Sequence, residues 1–482
     1  MAHLRNCFEG GVPSALSTCS ADGTPNIAYL SQVQFVDQNH VATTFQFFNK
    51  TRQNILANPY ALLKVVDPTN GSGYKLHVRY LRTETSGPLF ESMKAKLAGI
   101  ASHTGMTEVF KLLGSDIYEV QRVETIVHPM PGILPPVQDS LPKLRHMSAM
   151  LNASRDLDEL LDNTLTALQT VCGIGHMMIL KLDECGERLF TVASRGYDQS
   201  GVGSEIPMGH GVIGVAARER TPIRISHMTS EYIYGKAVRD SAEALGLHHQ
   251  LETAIPMPGL PECRSQMAVP ITAGARLYGV LYVESHEDLR FTYDDEDLLQ
   301  ILAQQFGWMA QSMACADPLD QAAEAPASAV RLTTAGSHAA LVAPGAALDE
   351  LTPNALASAA PAAHAASVTL SGSDAKPVLV RYFKADHSIF LDEDYLIKGV
   401  AGAIFWKLVQ IRQHEGRDQF TNRELRLAPD LCLPDIADNL EARLVLLQRR
   451  LAERASGVRM HKTGRGRFQL QVTQPLKLQL AD

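Results

Sequence analysis

The sequence holds no apolar run of about 18 residues, the length a helix needs to cross a bilayer. Its first residues, MAHLRNCFEGG, lack the basic start and apolar stretch of an export signal. A cytoplasmic protein with no membrane partner is therefore expected. Its seven cysteines, at positions 7, 19, 172, 185, 263, 315 and 432, are odd in number and scattered, with no CxxC and no Cys/His metal spacing. That excludes a disulfide framework or a zinc site as the organising feature and leaves reduced thiols. A catalytic constellation is also missing: there is no Ser/His/Asp order, no cyclase motif and no kinase motif.

What is present is length, and an uneven distribution of charge. At 482 residues the chain is too long for one core, and three domains are expected. The net charge is −8, yet from Pro377 onward the chain carries 17 Lys and Arg against 13 Asp and Glu, so the last segment is +4 and the remainder −12. A basic tail on an acidic body predicts different partners for the two parts. Between about residues 314 and 375 the chain turns to Ala, Pro, Ser and Thr, as in QAAEAPASAV and ASAAPAAHAAS. This composition has too few large apolar residues to bury and predicts a flexible tether. Five prolines in HPMPGILPPVQDSLP mark a second, stiffer connector. The segments are then 1–125, 138–313 and 376–482.

The first segment alternates short apolar runs, over residues 12–19, 27–30, 33–36 and 41–48, with Asp/Asn/Gly turns, which predicts an antiparallel sheet closing into a barrel. A short helix ended by Asn58-Pro59 and a further strand follow. The order strand, NKTRQN, helix, NP, strand resembles the FMN-binding split barrel of the pyridoxamine 5′-phosphate oxidase family, and GVPSALSTCSADGTPNIAYLS resembles that family's opening hairpin. Phosphate capture asks for cations, hydroxyls and free backbone N–H groups at a helix start. Asn49, Lys50, Thr51 and Arg52 supply them. The resemblance implies FMN as cofactor, with Lys50 and Thr51 on its phosphate, Thr44 and Asn54 beside it, and residues near Gln34 lining the ring. No substrate-binding Arg/His pair is found towards the C-terminal end of this segment, so a pyridoxamine phosphate site is not placed.

The second segment opens with Leu141, Leu144, Met147 and Leu151, then Leu157, Leu160, Leu161, Leu165, Leu168 and Val171, at helical spacing. Two strands, a glycine-rich helix start at HGVIG, and the stretch SQMAVPITAGARLYGVLYVES follow. The last reads as a hairpin, two β-branched runs around Thr272-Ala273-Gly274-Ala275. A closing helix carries Leu298, Ile301, Leu302, Gln305, Met309 and Met313 on one face. The whole order resembles a GAF domain, which implies a sensor with a small-molecule ligand of unknown identity, and a homodimer paired through its first and last helices. His248, His249 and Cys263 invite haem, iron or bilin ligation, but adjacent histidines diverge and the usual His after the cysteine is replaced by Arg264. Gly209, Gly211 and Gly214 have GxGxxG spacing without the preceding βαβ strand, which argues against a dinucleotide site.

In the third segment Leu396, Ile397, Val400, Ala401, Ile404, Phe405, Leu408 and Ile411 trace one helical face, and TNRE at 421–424 is a capping box opening a second helix. A third, over about 434–454, carries Ile436, Leu440, Leu444, Leu447 and Leu451, and a basic hairpin closes the chain. NLEARLVLLQRRL with TGRGRFQL resembles the winged helix-turn-helix effector domain of OmpR/PhoB-type response regulators, which implies DNA as partner. The third helix would enter the major groove and the hairpin touch the backbone. Arg443, Arg449 and Arg450, read as lying off the apolar stripe, would meet bases or phosphates; Lys462, Arg465 and Arg467 would meet phosphates. Asp435, Asp438 and Glu441 suit the helix dipole but oppose DNA.

The expected fold class is thus multidomain: a β split barrel (α+β), an α/β GAF domain and a C-terminal winged helix-turn-helix. The expected function is a signal-responsive regulator sensing a small molecule or redox state. An FMN-dependent oxidoreductase with regulatory modules and a protein-interaction scaffold are the alternatives.

Overall fold

In the computed structural model the described residues are all except 11, 31, 47–49, 69, 104–111, 129–139, 227–254, 317–376, 429–430, 432–439, 455–456, 465 and 482. The Ala/Pro-rich segment read as a tether lies almost wholly outside them, as do Asn49, His248, His249, Asp435, Ile436, Asp438 and Arg465.

The first module begins with a 3-10 turn, Ala2–Phe8, and strands β1 (Ser14–Cys19), β2 (Pro25–Leu30), β3 (Val33–Phe35) and β4 (His40–Phe45). Helix α1 (Lys50–Ala57), strands β5 (Tyr60–Val66) and β6 (Gly73–Glu84), helix α2 (Pro88–His103) and strand β7 (Gly114–Val127) complete it. The seven strands form one antiparallel sheet in the order β2-β1-β5-β6-β7-β4-β3. Alternation decides which side is core in β1, β5 and β6: Leu16, Leu63, Val65, Leu76 and Val78 are buried, with neighbours along each strand more open.

The second module runs α3 (Ser140–Asn152), α4 (Leu157–Cys172), β8 (His176–Leu182), β9 (Arg188–Arg195), β10 (Glu205–Pro207), α5 (Gly211–Glu219), β11 (Ile223–Ile225), β12 (Ser265–Ala273), β13 (Arg276–Ser285) and α6 (Tyr293–Ala316). Its sheet order is β10-β9-β8-β13-β12-β11. The expected hairpin is β12–β13, antiparallel and turned at Gly274, whose φ of +59° favours glycine. β8, β12 and β13 are buried on both faces, one under α3, α4 and α6 and the other under α5, which is why they read as continuous apolar runs. α4 starts where Asp156 accepts a hydrogen bond from the Glu159 N–H (3.0 Å) and stops at Gly173 in the left-handed region. α6 lies close on β12 because Gly307 leaves room: a Cβ there would sit 2.4 Å from the Thr272 carbonyl oxygen.

The third module has β14 (Val378–Phe383), β15 (Ser388–Leu391), β16 (Asp394–Ile397), α7 (Gly399–Glu415), β17 (Gln419–Thr421), α8 (Asn422–Arg426), α9 (Leu440–Glu453), β18 (Val458–Gly464), β19 (Arg467–Val472) and β20 (Leu476–Ala481). Leu396 and Ile397, read from sequence as the first turn of a helix, belong instead to β16. Ile397 pairs with Ile389 across the strands, and α7 starts only after Lys398, at Gly399 with φ +65°. Thr421 caps α8 by accepting from the Glu424 N–H (3.2 Å), but the Glu424 carboxylate pairs with Arg417 instead of closing the box. β20 returns to pair in parallel with β14, a contact far apart in sequence that local pattern does not show.

Candidate functional site

A small, half-open cleft lies in the first module beside the start of α1, lined by Thr43 and Thr44 of β4, Thr51 and Arg52 of α1, and Asp116 and Tyr118 of β7. Arg52 reaches inward, donates to Asp116 Oδ1 (2.6 Å) and lies 4.4 Å over the Phe45 ring. Thr83 Oγ1 donates to the same carboxylate oxygen (2.5 Å). Burial raises the Asp116 pKa, against the opposing pull of Thr83 and Arg52. Asn26 Nδ2 donates to Thr51 Oγ1 at 2.9 Å.

Of the residues expected around a flavin, Thr44, Thr51 and Arg52 meet in this cleft, and Lys50 stands exposed at the helix start. Asn54 and Gln34 do not line it. Asn54 is buried beneath α1 and donates to Thr18 Oγ1 (3.1 Å). Gln34 points the other way and accepts from Lys96 Nζ of α2 (2.7 Å). The cleft therefore offers hydroxyls and one inward cation, which suits an anionic group, together with a carboxylate that already engages that cation.

Gln34 leads to a buried polar layer between the first two modules that sequence reasoning did not find. Arg224 of β11, 1% exposed, donates to Glu9, to Glu296 Oε2 (2.9 Å) and to the Phe291 carbonyl (2.8 Å). Glu9 Oε1 also accepts the Tyr293 N–H (2.9 Å), and the Phe35 N–H donates to the Tyr293 hydroxyl (3.2 Å). Around the Tyr293 ring stand Arg224 at 4.3 Å, Arg5 at 5.0 Å and Lys96 at 5.1 Å. Burial, then the charge of Arg224, pull Lys96 down to about 7 despite Glu296 and Glu9. Burial also opposes the Arg224 charge, but Glu9 and Glu296 outweigh it and hold the guanidinium above its ordinary range. Each residue looks unremarkable in sequence; a lone Arg in IRI and a Glu in the first decade acquire meaning only when brought together.

Within the second module, Glu284 at the end of β13 is buried and accepts from Tyr282 (2.7 Å), Tyr197 (3.2 Å) and the Leu260 N–H (2.9 Å). Burial raises both tyrosines, followed by the Glu284 charge, so they remain neutral donors. Cys263 is buried nearby, its thiol directed at the Ser265 carbonyl (3.3 Å).

Residues 156–309 match the sequence pattern of the GAF domain. They form a GAF domain. Among similar solved structures, the GAF domain of the Acinetobacter phosphoenolpyruvate-protein phosphotransferase is 21% identical and covers 37% of this chain and 95% of that one, with a TM-score of 0.28. An FMN-binding protein from Syntrophomonas wolfei subsp. wolfei is 14% identical, covering 27% and 87%, with a TM-score of 0.23. HupZ of Group A Streptococcus is 21% identical, covering 27% and 95%, with a TM-score of 0.22. No curated protein matches the chain in sequence. The chain is thus a multidomain protein with a GAF domain, a module that implies small-molecule sensing. Among the described residues no helix is long and apolar enough to cross a membrane, and no metal-ligand cluster is found.

Three of the residues expected to meet DNA, Arg443, Arg449 and Lys462, lie against this GAF domain. Arg443 on α9 donates to Glu184 (Nε, 3.2 Å) and lies 4.2 Å over the Phe190 ring. Arg449 donates to Asp158 (2.7 Å) and Asp162 (2.9 Å) of α4. Lys462 of β18 pairs with Asp156 and Glu441. Arg467 is exposed on β19. Arg450 corrects the sequence reading: it lies under α9, 5% exposed, donating to the Leu396 carbonyl (3.1 Å) and Glu453 (2.7 Å). Its head group is taken up by β16 and Glu453 while its Cδ lies beside Gly203 of the GAF domain, 3.9 Å from where a Cβ there would stand, so it is held by packing and not presented to a phosphate.

Proposed function

We propose that the chain is a signal-responsive regulator in which the first module and the GAF domain receive a small-molecule or redox signal and the third module, a winged helix-turn-helix, delivers it to DNA. The observation that carries this reading is the position of the GAF domain: it is packed on one side against a module with an anion-suited cleft and on the other against a helix and hairpin bearing Arg443, Arg449, Lys462 and Arg467. The order α7, α8, α9, β18–β19 supports the winged-helix assignment. In this reading α9 is the recognition helix and the β18–β19 hairpin the wing.

The first module is proposed as an FMN-type split barrel. Thr44, Thr51, Arg52 and Lys50 would hold the phosphate, and Asp116, neutralised by Arg52, would sit beside it. FMN would supply redox chemistry at that cleft. Dimerisation is proposed through α3 and α6, which expose Leu141, Ile301 and Trp308.

Two measurements test the reading. The absorption spectrum of the purified protein, native and then denatured, should give a flavin spectrum near one equivalent; a colourless protein that FMN cannot reconstitute would retire the flavin assignment. Fluorescence anisotropy with a mixed-sequence duplex at low salt should give an affinity that Arg465→Ala/Arg467→Ala weakens. DNA affinity untouched by that pair would favour the scaffold alternative.

A further inference from the structure

The basic face of α9 and β18 is the one that would meet a polyanion, and the GAF domain covers it. Three cations on this face each meet GAF carboxylates: Arg443 meets Glu184, Arg449 meets Asp158 and Asp162, and Lys462 meets Asp156. The contact is more than a chance ion pair. Arg443 and Arg449 are only 13% and 17% exposed, and Arg443 lies over the Phe190 ring of β9. Between these charges Leu446 is buried, and Gly203 of the GAF domain is so close that a Cβ on it would lie 3.7 Å from Leu446 Cδ1. Lys398, just before α7, adds a pair with Glu205 at 3.3 Å. Asp156 and Asp158 have a reason of their own to stand at the start of α4, where the helix dipole favours carboxylates. Glu184, in the turn before β9, and Asp162, a turn further into α4, have no such reason, and both reach the same partner face.

We propose that the GAF domain is an internal competitor for the third module's basic face: Asp156, Asp158, Asp162 and Glu184 occupy Arg443, Arg449 and Lys462 where DNA phosphates would lie. This rests on the DNA-binding reading above. DNA can bind fully only when the module leaves the GAF domain, so a GAF ligand that loosens the α4 to β9 surface raises DNA affinity without touching the third module. When the open form is a minor fraction of the ensemble, apparent affinity falls by that fraction.

Carbodiimide cross-linking of the full-length protein tests the contact, because it joins an amine to a carboxylate only where they touch. The wild type should yield a Lys462–Asp156 amide, found by peptide mass spectrometry. Asp158→Asn/Asp162→Asn/Glu184→Gln keeps both cross-linked residues; it should lose most of that product and bind a mixed-sequence duplex at least about tenfold more tightly. Absence of the cross-link in the wild type overturns the docking whatever the DNA result. A lost cross-link with equal, measurable DNA affinity in both proteins overturns the competition and leaves the DNA reading intact. A cross-link in the wild type with no DNA affinity in either protein overturns the DNA reading, and the competition with it.

Discussion

Replacing Arg224 by methionine should loosen the first module from the GAF domain. The guanidinium is 1% exposed and faces Glu9 and Glu296, whose side chains are 10% and 17% exposed. Methionine keeps most of the volume but leaves two carboxylates with no cation between them. Removing one partner from a buried pair costs about 3–5 kcal/mol, most of it the penalty of the stranded charge. For domains of this size each kcal/mol shifts the midpoint by about 2–4 °C, so the first calorimetric transition should fall on the order of 10 °C. The control follows from the same logic. Arg224→Met/Glu9→Gln/Glu296→Gln removes the cation together with both carboxylates, leaves Lys96 able to shed its proton, and should recover most of the loss, since an apolar or neutral replacement of a whole buried pair is often close to neutral. Differential scanning calorimetry at neutral pH reads both variants. A single variant within about 1 kcal/mol of wild type, or a triple variant as unstable as the single one, would refute the account of this layer as a charge-balanced interface.

Lys96 should give a distinct pH signature. Its folded pKa of about 7 lies below the ordinary lysine value, so between these limits the unfolded chain holds a proton that the folded one lacks. Stability from this group rises with pH across that window, by up to about 1.4 kcal/mol per pH unit, and the penalty is complete below pH 7. Lys96→Met should therefore flatten the urea-midpoint profile and be relatively more stable at pH 6; an unchanged slope would contradict the burial argument. Gly307→Ala should destabilise the GAF domain by about 1–3 kcal/mol in chemical denaturation despite alanine's better helix propensity, because the new Cβ meets the Thr272 carbonyl at 2.4 Å. Arg450→Ala should lower the stability of the third module by about 1–3 kcal/mol through the hydrogen bonds lost to Leu396 and Glu453. If instead it changed DNA affinity alone, with an unaltered melt, the placement of Arg450 in the core would be wrong.

Much of the local architecture was legible in the sequence. Apolar periodicity placed α4, α6 and α9, and a glycine turn between two β-branched runs placed the β12–β13 hairpin, because each of these depends on residues a few positions apart. The motif NKTRQN put Thr51 and Arg52 at a helix start, and the cleft is there. The helical reading of Leu396 and Ile397 failed because two adjacent apolar residues before a helical run carry no period of their own, and pairing of Ile397 with Ile389 decided for a strand. Arg450 failed likewise: a long, amphipathic side chain next to an apolar stripe folds under or out according to what packs beside it, here β16. Tertiary structure alone decided three things. It turned Gln34 towards Lys96 and away from the cleft, gathered Glu9, Arg224, Tyr293 and Glu296 into one buried layer, and set the basic face of α9 against the acidic start of α4. The physical reason is common to all three. A polar side chain declares its type in the sequence, but its partner, and hence whether it stabilises, binds or is masked, is fixed by contacts between residues 62 to 291 positions apart.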